Sequence, residues 1–427
     1  MGGTSNVPSW VLCCVERSNF GLLRREWEMS DLQSRGAPDC PLATADEPGG
    51  ERFSRRDLVW KGGGLVAAGT LAPALLAACG SGSSPGNGEV GGTLPTLMWQ
   101  DYAREPVTGA FQSKHGVTLN NSPLASNDEI LTRLRAQGPG SYSVASPNVA
   151  YVQSQFAAGE LSAIDLTRVP NVAGLFQRFQ NVIKKQLTFE GQVYGVPVGF
   201  GLDTMLYNKS RIKTPPTSWK DVLKPEYEGK VLLWEGPQPN FEIWPRVIGG
   251  WDPARLTPEQ LEKTTDFLIE LKQTQVRTIA SSADDVAKLF ASGEVWITAS
   301  GSDPASALVA NKQGGDEVAF TIPKEGAATW VDSLAMPAEP PNEATAYAFI
   351  DYMLSSKPQA THADEFEAGA VAKAAVPLVS KENRELIPYN NINQLANRAP
   401  VFVFPPVESG FTTVEEWGEA WEQIAAA

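Results

Sequence analysis

One cysteine, Cys79, lies in a context that predicts chemical modification of its thiol. Residues 76–78, Leu-Ala-Ala, come directly before it, an uncharged run spans residues 62–78, and a twin arginine stands at 55–56. Small residues before a cysteine suit a signal peptidase, and the cysteine thiol then suits transfer of a diacylglycerol. This order predicts residues 1–78 as a leader that is removed and Cys79 as a lipidation site.

The run at 62–78 is not expected to be a membrane span or a core helix. It is shorter than the ~20 strongly apolar residues that a span needs, and the glycines at 62–64 and Pro73 disfavour a helix. The segment resembles a bacterial lipoprotein signal of the twin-arginine type, although Leu58 stands where Phe is commonest and Lys61 comes one position late. Twin-arginine and general secretory export both stay open, as does Met29 as the true start.

Histidine and cysteine, which metal sites and nucleophilic catalysis often use, are scarce in this chain. The two histidines, His115 and His362, are far apart in polar, helix-like contexts, and we expect both to be surface residues. Zinc sites and Ser-His catalysis need more histidine than this. The cysteines all lie at or before the lipidation point: Cys13, Cys14, Cys40 and Cys79. The sequence therefore predicts no disulfide in the mature fold, no metal and no cofactor.

A secreted hydrolase is the alternative from another functional class. The acidic pairs at 284–285 and 364–365 could act as acid and base, but they lie on predicted helix faces and are typical of solvated charge. The nearest approach to a Gly-x-Ser-x-Gly motif surrounds Ser300, where Thr298 and Ser302 stand in place of the two glycines, and there is no HExxH. We therefore expect no enzymatic activity.

Charge and length limit the possible partners. The chain has 35 Lys and Arg against 49 Asp and Glu, for a net charge of -14. Such a surface repels nucleic acid and anionic lipid and mildly attracts cationic solutes. The part after Cys79 is long enough for two lobes of ordinary domain size.

Strands alternate with helices along the mature chain, which predicts an α/β fold. Residues 79–92 carry the lipidated cysteine and a Gly- and Ser-rich flexible tether. Ser126 to Glu129 has the spacing of a capping box that opens a helix. The glycines of Gly191 to Asn208 suggest unusual backbone angles in a chain that crosses between lobes. Further strands are predicted at 93–98, 143–146, 230–234, 295–300, 317–322 and 330–336, and helices at 151–161, 257–272, 284–291, 342–354 and 414–424.

Three stretches carry a resemblance to a known family. They are SWKDVLKPEYEGK at 218–230, WVDSLAMP at 330–337, and WQDY at 99–102 followed by SNDE at 126–129. Their order and spacing resemble the extracellular solute-binding proteins of ABC importers, in the spermidine/putrescine-binding group. The resemblance covers the chain from Gly92 to its C-terminus.

The resemblance implies a monomer with a two-lobed periplasmic-binding-protein-like fold of type II, in which mixed sheets are flanked by helices. A ligand binds in the cleft between the lobes, which close around a hinge, and the loaded form docks on a membrane permease. We expect lobe 1 to comprise 93–197 and 334–375, and lobe 2 to comprise 198–333 and 376–427. The chain is then expected to cross between the lobes at 196–202 and at 332–336, and a third time after about Val371.

The same resemblance implies the binding residues. In the polyamine group, aromatic rings face the alkyl chain and the ammonium ends, and carboxylates pair with the amines. Trp99, Tyr102 and Trp330 match three of those aromatic positions, and Asp332 matches the carboxylate that takes one amine. Trp330 and Asp332 alternate on one predicted strand, so both side chains point to the same face.

Other positions depart from the group's pattern. Asn148 aligns where the group has Ser, and Asn127 belongs to the helix-opening stretch that carries part of the resemblance. Glu235 could bind the far amine with a one-residue shift, while Trp234 could add a ring. Asp303 could compensate for a tryptophan that the group carries after strand 295–300.

We therefore expect an extracytoplasmic lipoprotein, anchored to the membrane by lipid, that delivers a small cationic solute such as putrescine or spermidine to an ABC permease. An amino-acid derivative, an anion or a ferric ion bound by the same fold is the alternative.

Overall fold

The computed structural model describes residues 88–124, 126–405 and 408–427. The predicted leader, Cys79 and the tether as far as residue 87 lie outside the described residues. Across the described ranges, no helix has both the length and the apolar character needed to cross a membrane.

The strands are mostly short and alternate with helices, as the sequence predicted. They are β1 Gly92–Met98, β2 Val117–Pro123, β3 Val144–Ala145, β4 Leu161–Ser162, β5 Thr188–Phe189, β6 Gln192–Val193, β7 Val196–Asp203, β8 Met205–Asn208, β9 Val231–Trp234, β10 Val276–Ala280, β11 Ile297–Thr298, β12 Val318–Thr321, β13 Ala328–Leu334 and β14 Met336–Pro337.

The helices are α1 Gln100–Ala103, α2 Glu105–His115, α3 Asn127–Gln137, α4 Val149–Ala157, α5 Gln177–Gln186, α6 Gln238–Phe241, α7 Trp244–Gly249, α8 Pro258–Thr274, α9 Ala283–Ala291, α10 Pro304–Gln313, α11 Glu343–Met353, α12 Ser356–Phe366, α13 Lys381–Leu386, α14 Ile392–Arg398 and α15 Val414–Ala426. Short 3-10 helices, such as Trp219–Leu223, lie between them.

Two sheets organise the two lobes. In the first lobe, β2, β1 and β3 form a parallel sheet in that order. In the second lobe, the strand order is β10-β9-β11-β8-β12, and β8 runs antiparallel to both of its neighbours. Strands β7 and β13 form a separate two-stranded antiparallel ribbon, and β7 leads directly into β8 of the second sheet. The fold is therefore α/β with mixed sheets flanked by helices, as expected.

Each lobe has its own hydrophobic core. The first core includes Phe111, Phe179 and Phe349, and the second includes Trp219, Trp244 and Trp417, all fully or almost fully buried. Trp417 and Trp421 of α15 both pack into the second core, which agrees with a helix that docks by its i and i+4 residues.

Part of the C-terminal segment packs with the first core. Leu386, Ile387 and Ile392 pack into the first core, although the expected boundary assigned 376–427 to the second lobe. The chain then runs beside β13, where the Thr329 amide donates to the Pro400 carbonyl at 2.9 Å and the Phe402 amide donates to the Thr329 carbonyl at 3.0 Å. Apolar residues in short helices can serve either core, so their spacing alone does not locate the expected third crossing.

Side-chain caps explain the starts of several helices, but not that of α3. Thr257 and Gln260 form a capping box at the start of α8, and Ser218 and Asp221 form another at 219–223. At α3 the expected box is not made, because the Ser126 side chain makes no capping hydrogen bond. The helix nevertheless begins at the expected place.

Candidate ligand-binding cleft

A cavity of about 380 Å³ collects most of the predicted site residues. Its walls come from β7, β13, α1, the starts of α3 and α4, α6 and the end of α12. They are formed by Trp99, Asp101, Tyr102, Asn127, Asn148, Asp203, Gln238, Trp330, Asp332, His362, Phe366 and Ala368. Six of the nine residues proposed from the sequence therefore line one cavity.

Asp332 is the most constrained acid in this cavity. Its Oδ2 accepts a hydrogen bond from the Tyr102 hydroxyl at 3.1 Å, and its Oδ1 accepts a long one from Asn148 Nδ2 at 3.5 Å. Burial raises the pKa of Asp332 to about 7, against the lowering effect of these two bonds, and no Lys or Arg contributes. Removing a carboxylate from water costs free energy even when it accepts hydrogen bonds, and a bound cation would offset that cost.

Two glycines on β7 make room for this arrangement. Gly199 pairs with Asp332 and Gly201 pairs with Trp330 in the β7–β13 ribbon. A Cβ at Gly199 would lie 2.5 Å from the Tyr102 hydroxyl oxygen, and one at Gly201 would overlap the Trp330 ring. Neither glycine has a positive φ. The expected reason, an unusual backbone angle, is wrong for these two, which are needed for close packing instead.

His362 is the clearest error of the sequence analysis, which placed it on the surface. It is 4% exposed, lines the cavity and stacks on Tyr102 with ring centroids 4.3 Å apart and planes 7° apart. Burial lowers its pKa to about 3, so the imidazole is neutral at pH 7. The signal was present, since Gln359, His362, Ala363 and Phe366 share one face of α12 at helical spacing.

Asp303 lies behind Trp330 and not in the cavity wall. Its Oδ2 accepts a hydrogen bond from Trp330 Nε1 at 3.1 Å, and its Oδ1 accepts one from the Ala305 amide at 2.9 Å, where it caps α10. Burial raises its pKa to about 6, and these two bonds oppose the shift. Asp303 thus fixes the orientation of the indole ring.

Trp234 and Glu235 also lie outside the cavity wall. Trp234 Nε1 donates to Ser302 Oγ at 2.8 Å, within the second lobe. Glu235 is exposed, and its backbone amide donates to the Ala280 carbonyl at 2.9 Å. The structure does not bring these two side chains together with Asp332, whereas Gln238 of α6 does reach the cavity.

Trp99, Asn127 and Asn148 form a further part of the cavity wall. Asn127 Oδ1 accepts a hydrogen bond from the Asn148 amide at 2.9 Å, and Asn148 Oδ1 caps α4 through the Ala150 amide. Trp99 Nε1 is buried without a hydrogen-bond partner among the described residues. The donor of Asn148 is used by Asp332, whereas that of Trp99 is not used within the described residues.

Asp203 is an acid in the cavity wall that the sequence analysis missed. Burial raises its pKa to about 7, and the nearby charge of Asp303 adds to the shift. No motif surrounds it, and only the place where β7 ends puts its side chain in the cavity. Within the described residues, no group of three or more His, Cys, Asp or Glu side chains is arranged to hold a metal ion.

A family model described as bacterial extracellular solute-binding protein matches residues 107–384. The chain is similar to the spermidine/putrescine-binding periplasmic protein 1 of Haemophilus influenzae, at 28% identity over 267 residues, which is 62% of this chain and 71% of the relative.

Two solved structures share the fold. The spermidine/putrescine ABC transporter substrate-binding protein PotD of Streptococcus pneumoniae matches with a TM-score of 0.65 and 19% identity, over 78% of this chain and 97% of its own. The TpPotD lipoprotein of Treponema pallidum matches with the same TM-score and identity, over 78% of this chain and 99% of its own.

Proposed function

This chain belongs to the bacterial extracellular solute-binding protein family, and we propose that its cleft captures a small cationic solute of the polyamine type. Membership makes it a non-catalytic solute-binding protein of an ABC transporter that works outside the cytoplasm. One observation carries the choice of ligand. Asp332 is a half-buried carboxylate in the cavity wall that has two hydrogen-bond donors, an aromatic neighbour on its own strand and no cationic partner among the described residues.

The chemistry of the cavity suits an ammonium group attached to an alkyl chain. The carboxylate of Asp332 accepts charge-assisted hydrogen bonds from the ammonium, and the rings of Trp330 and Tyr102 attract its positive charge and cover its methylene groups. His362 adds no competing charge because it is neutral at pH 7. The names of the similar proteins, which refer to spermidine and putrescine, support the same class of ligand.

The direct test is calorimetric titration of the purified chain with putrescine and then with spermidine. Saturable binding of either supports a polyamine carrier. A folded protein that gives no heat with either ligand would contradict the proposal.

A zwitterionic amino-acid derivative is the second candidate, and one observation favours it. The cavity wall includes Asn127, whose amide group is a possible donor, and Trp99, whose Nε1 has no hydrogen-bond partner among the described residues. These donors would suit a carboxylate group, while Asp332 would still hold the amine. Titration with 4-aminobutyrate separates the candidates, because a diamine leaves these donors unused.

We expect the two lobes to close over the ligand, because contacts from both lobes favour the closed state. The permease would then recognise the closed form. Small-angle scattering checks the closure. The radius of gyration should fall when the ligand saturates the protein, and an unchanged value with bound ligand would contradict this step.

Lipidation at Cys79 would hold the protein at the membrane surface. The flexible tether to residue 92 would let the folded body stand away from that surface. The lipoprotein of Treponema pallidum that shares the fold is consistent with this arrangement.

A further inference from the structure

Two adjacent carboxyl groups lie at one end of the cavity. The family resemblance does not explain this pair. Asp203 is the last residue of β7 and lines the cavity, and Glu242 directly follows α6. Glu242 is 0% exposed, and its side-chain oxygens have no hydrogen-bond partner among the described residues apart from the neighbouring Asp203 carboxyl and Gln238. Asp203 Oδ2 is buried and unpartnered in the same way.

A glycine allows the two acids to meet. A Cβ at Gly301 would lie 2.5 Å from Glu242 Oε1 and 2.6 Å from Asp203 Cβ. Any side chain at this position would therefore separate Glu242 from Asp203 or displace both.

The surrounding groups do not neutralise the pair. Asp303 is a further acid close to Asp203. Arg246 is the nearby cation, but its guanidinium donates to the backbone carbonyls of Glu242 and Ala327 at 3.0 and 3.2 Å. Gln238 is the remaining polar neighbour. Two adjacent carboxyl groups can hydrogen-bond to each other only when one carries a proton, and burial raises the pKa of both.

The pair and Asp332 lie at two ends of one surface. In the ribbon, Asp203 pairs with Ala328, which is four residues from Asp332 on β13. At about 3.3 Å per residue, the two positions are about 13 Å apart along the strand. Trp330 lies between them on the same face of β13. Along this surface the Asp332 carboxylate is followed by the Trp330 indole and then by the carboxyl pair.

We infer that Asp203 and Glu242 form a second cation subsite of this cleft, which takes the far ammonium of a diamine or longer polyamine whose first ammonium lies on Asp332. This inference rests on the proposed function. Asp203 and Glu242 would take the role expected for Glu235, which is to bind the second ammonium of the ligand. On binding, the ammonium keeps its own protons and donates hydrogen bonds to Asp203, which lines the cavity, while the carboxylate of Glu242 directly behind it adds its negative charge. The proton that the pair shared leaves to the solvent.

The test compares 1,4-diaminobutane with n-butylamine by calorimetric titration of the whole chain. The wild type should prefer the diamine. Asp203→Asn and Glu242→Gln should each weaken diamine binding by roughly 10- to 100-fold, as expected for loss of a charged partner, and should weaken butylamine binding much less. Glu235→Gln is the matched control, since it removes an exposed carboxylate outside the cavity, and it should change neither affinity.

A second measurement needs only the wild type. Titrations at pH 7 in two buffers of different protonation enthalpy should report release of up to one proton for each diamine bound, and less for butylamine. Equal proton release with the two ligands would overturn the inference, as would a diamine preference that persists in both folded variants. If the wild type binds neither amine, the inference falls together with the proposed function. If it binds both amines with the same affinity, only the inference falls.

Discussion

The hydroxyl of Tyr102 donates a 3.1 Å hydrogen bond to Oδ2 of Asp332, a residue 230 positions later in the chain. The bond joins α1, at the edge of the first lobe, to the ribbon strand β13. It fixes the carboxylate of Asp332 toward the cavity and favours its ionised form. Tyr102 is thereby placed both to position the acid and to present its ring.

Tyr102→Phe tests this positioning role. The variant keeps a ring that can stack on His362 but removes the donor to Asp332, so we expect amine affinity to fall by about tenfold. The pKa of Asp332 should also rise, because the Tyr102 bond lowers it. Calorimetry at several pH values measures both effects. Tyr352→Phe is a matched control, since its hydroxyl donates to the Val107 carbonyl away from the cavity. Equal effects of the two substitutions would argue against a specific role.

Asp332→Asn should weaken binding of an amine ligand by about 1.5–3 kcal/mol, because a charge-assisted hydrogen bond in a dry site is lost. The amide keeps the shape of the side chain, so the fold should be retained. Asp266→Asn, an exposed substitution on α8, controls for the change in net charge. An affinity that is the same in both variants would remove Asp332 from the site.

Ligand affinity should depend on pH near neutrality. Only the ionised form of Asp332 pairs with an ammonium, and burial raises its pKa to about 7. The Kd of a diamine should therefore fall as the pH rises from about 6 to about 8, a range in which the amine stays charged. His362 has no part in this change, because its pKa is lowered to about 3. Titrations across this range check the sign, and a Kd that rises with pH would contradict it.

The sequence could predict the site residues that lie within a recognisable motif, but not those that only tertiary packing brings to the cavity. Trp330 and Asp332 alternate on one strand within a recognisable stretch, so their common face was predictable. His362 was marked by its place on one face of α12, but Asp203 and Glu242 belong to no motif or periodic pattern. Glu242 comes to Asp203 only because β11 is followed by a glycine that packs against both. Tertiary packing of this kind leaves no local pattern.

The fold was more predictable than the far end of the cleft. Alternating strands and helices and three motif stretches identified the α/β architecture and the family. The far acid was assigned to Glu235 by alignment to β9, but the turn after that strand exposes Glu235, and Gln238 reaches the cavity instead. A short insertion-prone turn changes which residue faces the cleft, so alignment alone places such a residue poorly.

Gly201→Ala tests the packing of the ribbon against the site. The added Cβ would overlap the Trp330 ring and Asp303, so we expect a loss of roughly 1–3 kcal/mol in the free energy of unfolding. Ligand affinity should also fall, because the indole must move. Gly174→Ala is the control, since nothing lies within 4 Å of its added Cβ and its φ is not positive. Denaturant unfolding and calorimetry measure the two effects. Unfolding energies that match between the variants would mean that the ribbon accommodates a side chain at Gly201.

Cys79→Ser tests the anchor predicted from the sequence, in a part of the chain outside the described residues. The hydroxyl cannot replace the thiol as the site of diacylglycerol transfer, so the protein should leave the membrane fraction. The solute-binding body begins at β1, beyond the tether, and should keep its fold and ligand affinity. Cell fractionation with calorimetry on the released protein separates the two results. Retention in the membrane would indicate that the apolar run at 62–78 stays as an uncleaved anchor, whereas release with loss of binding would mean that the lipidated segment supports the fold.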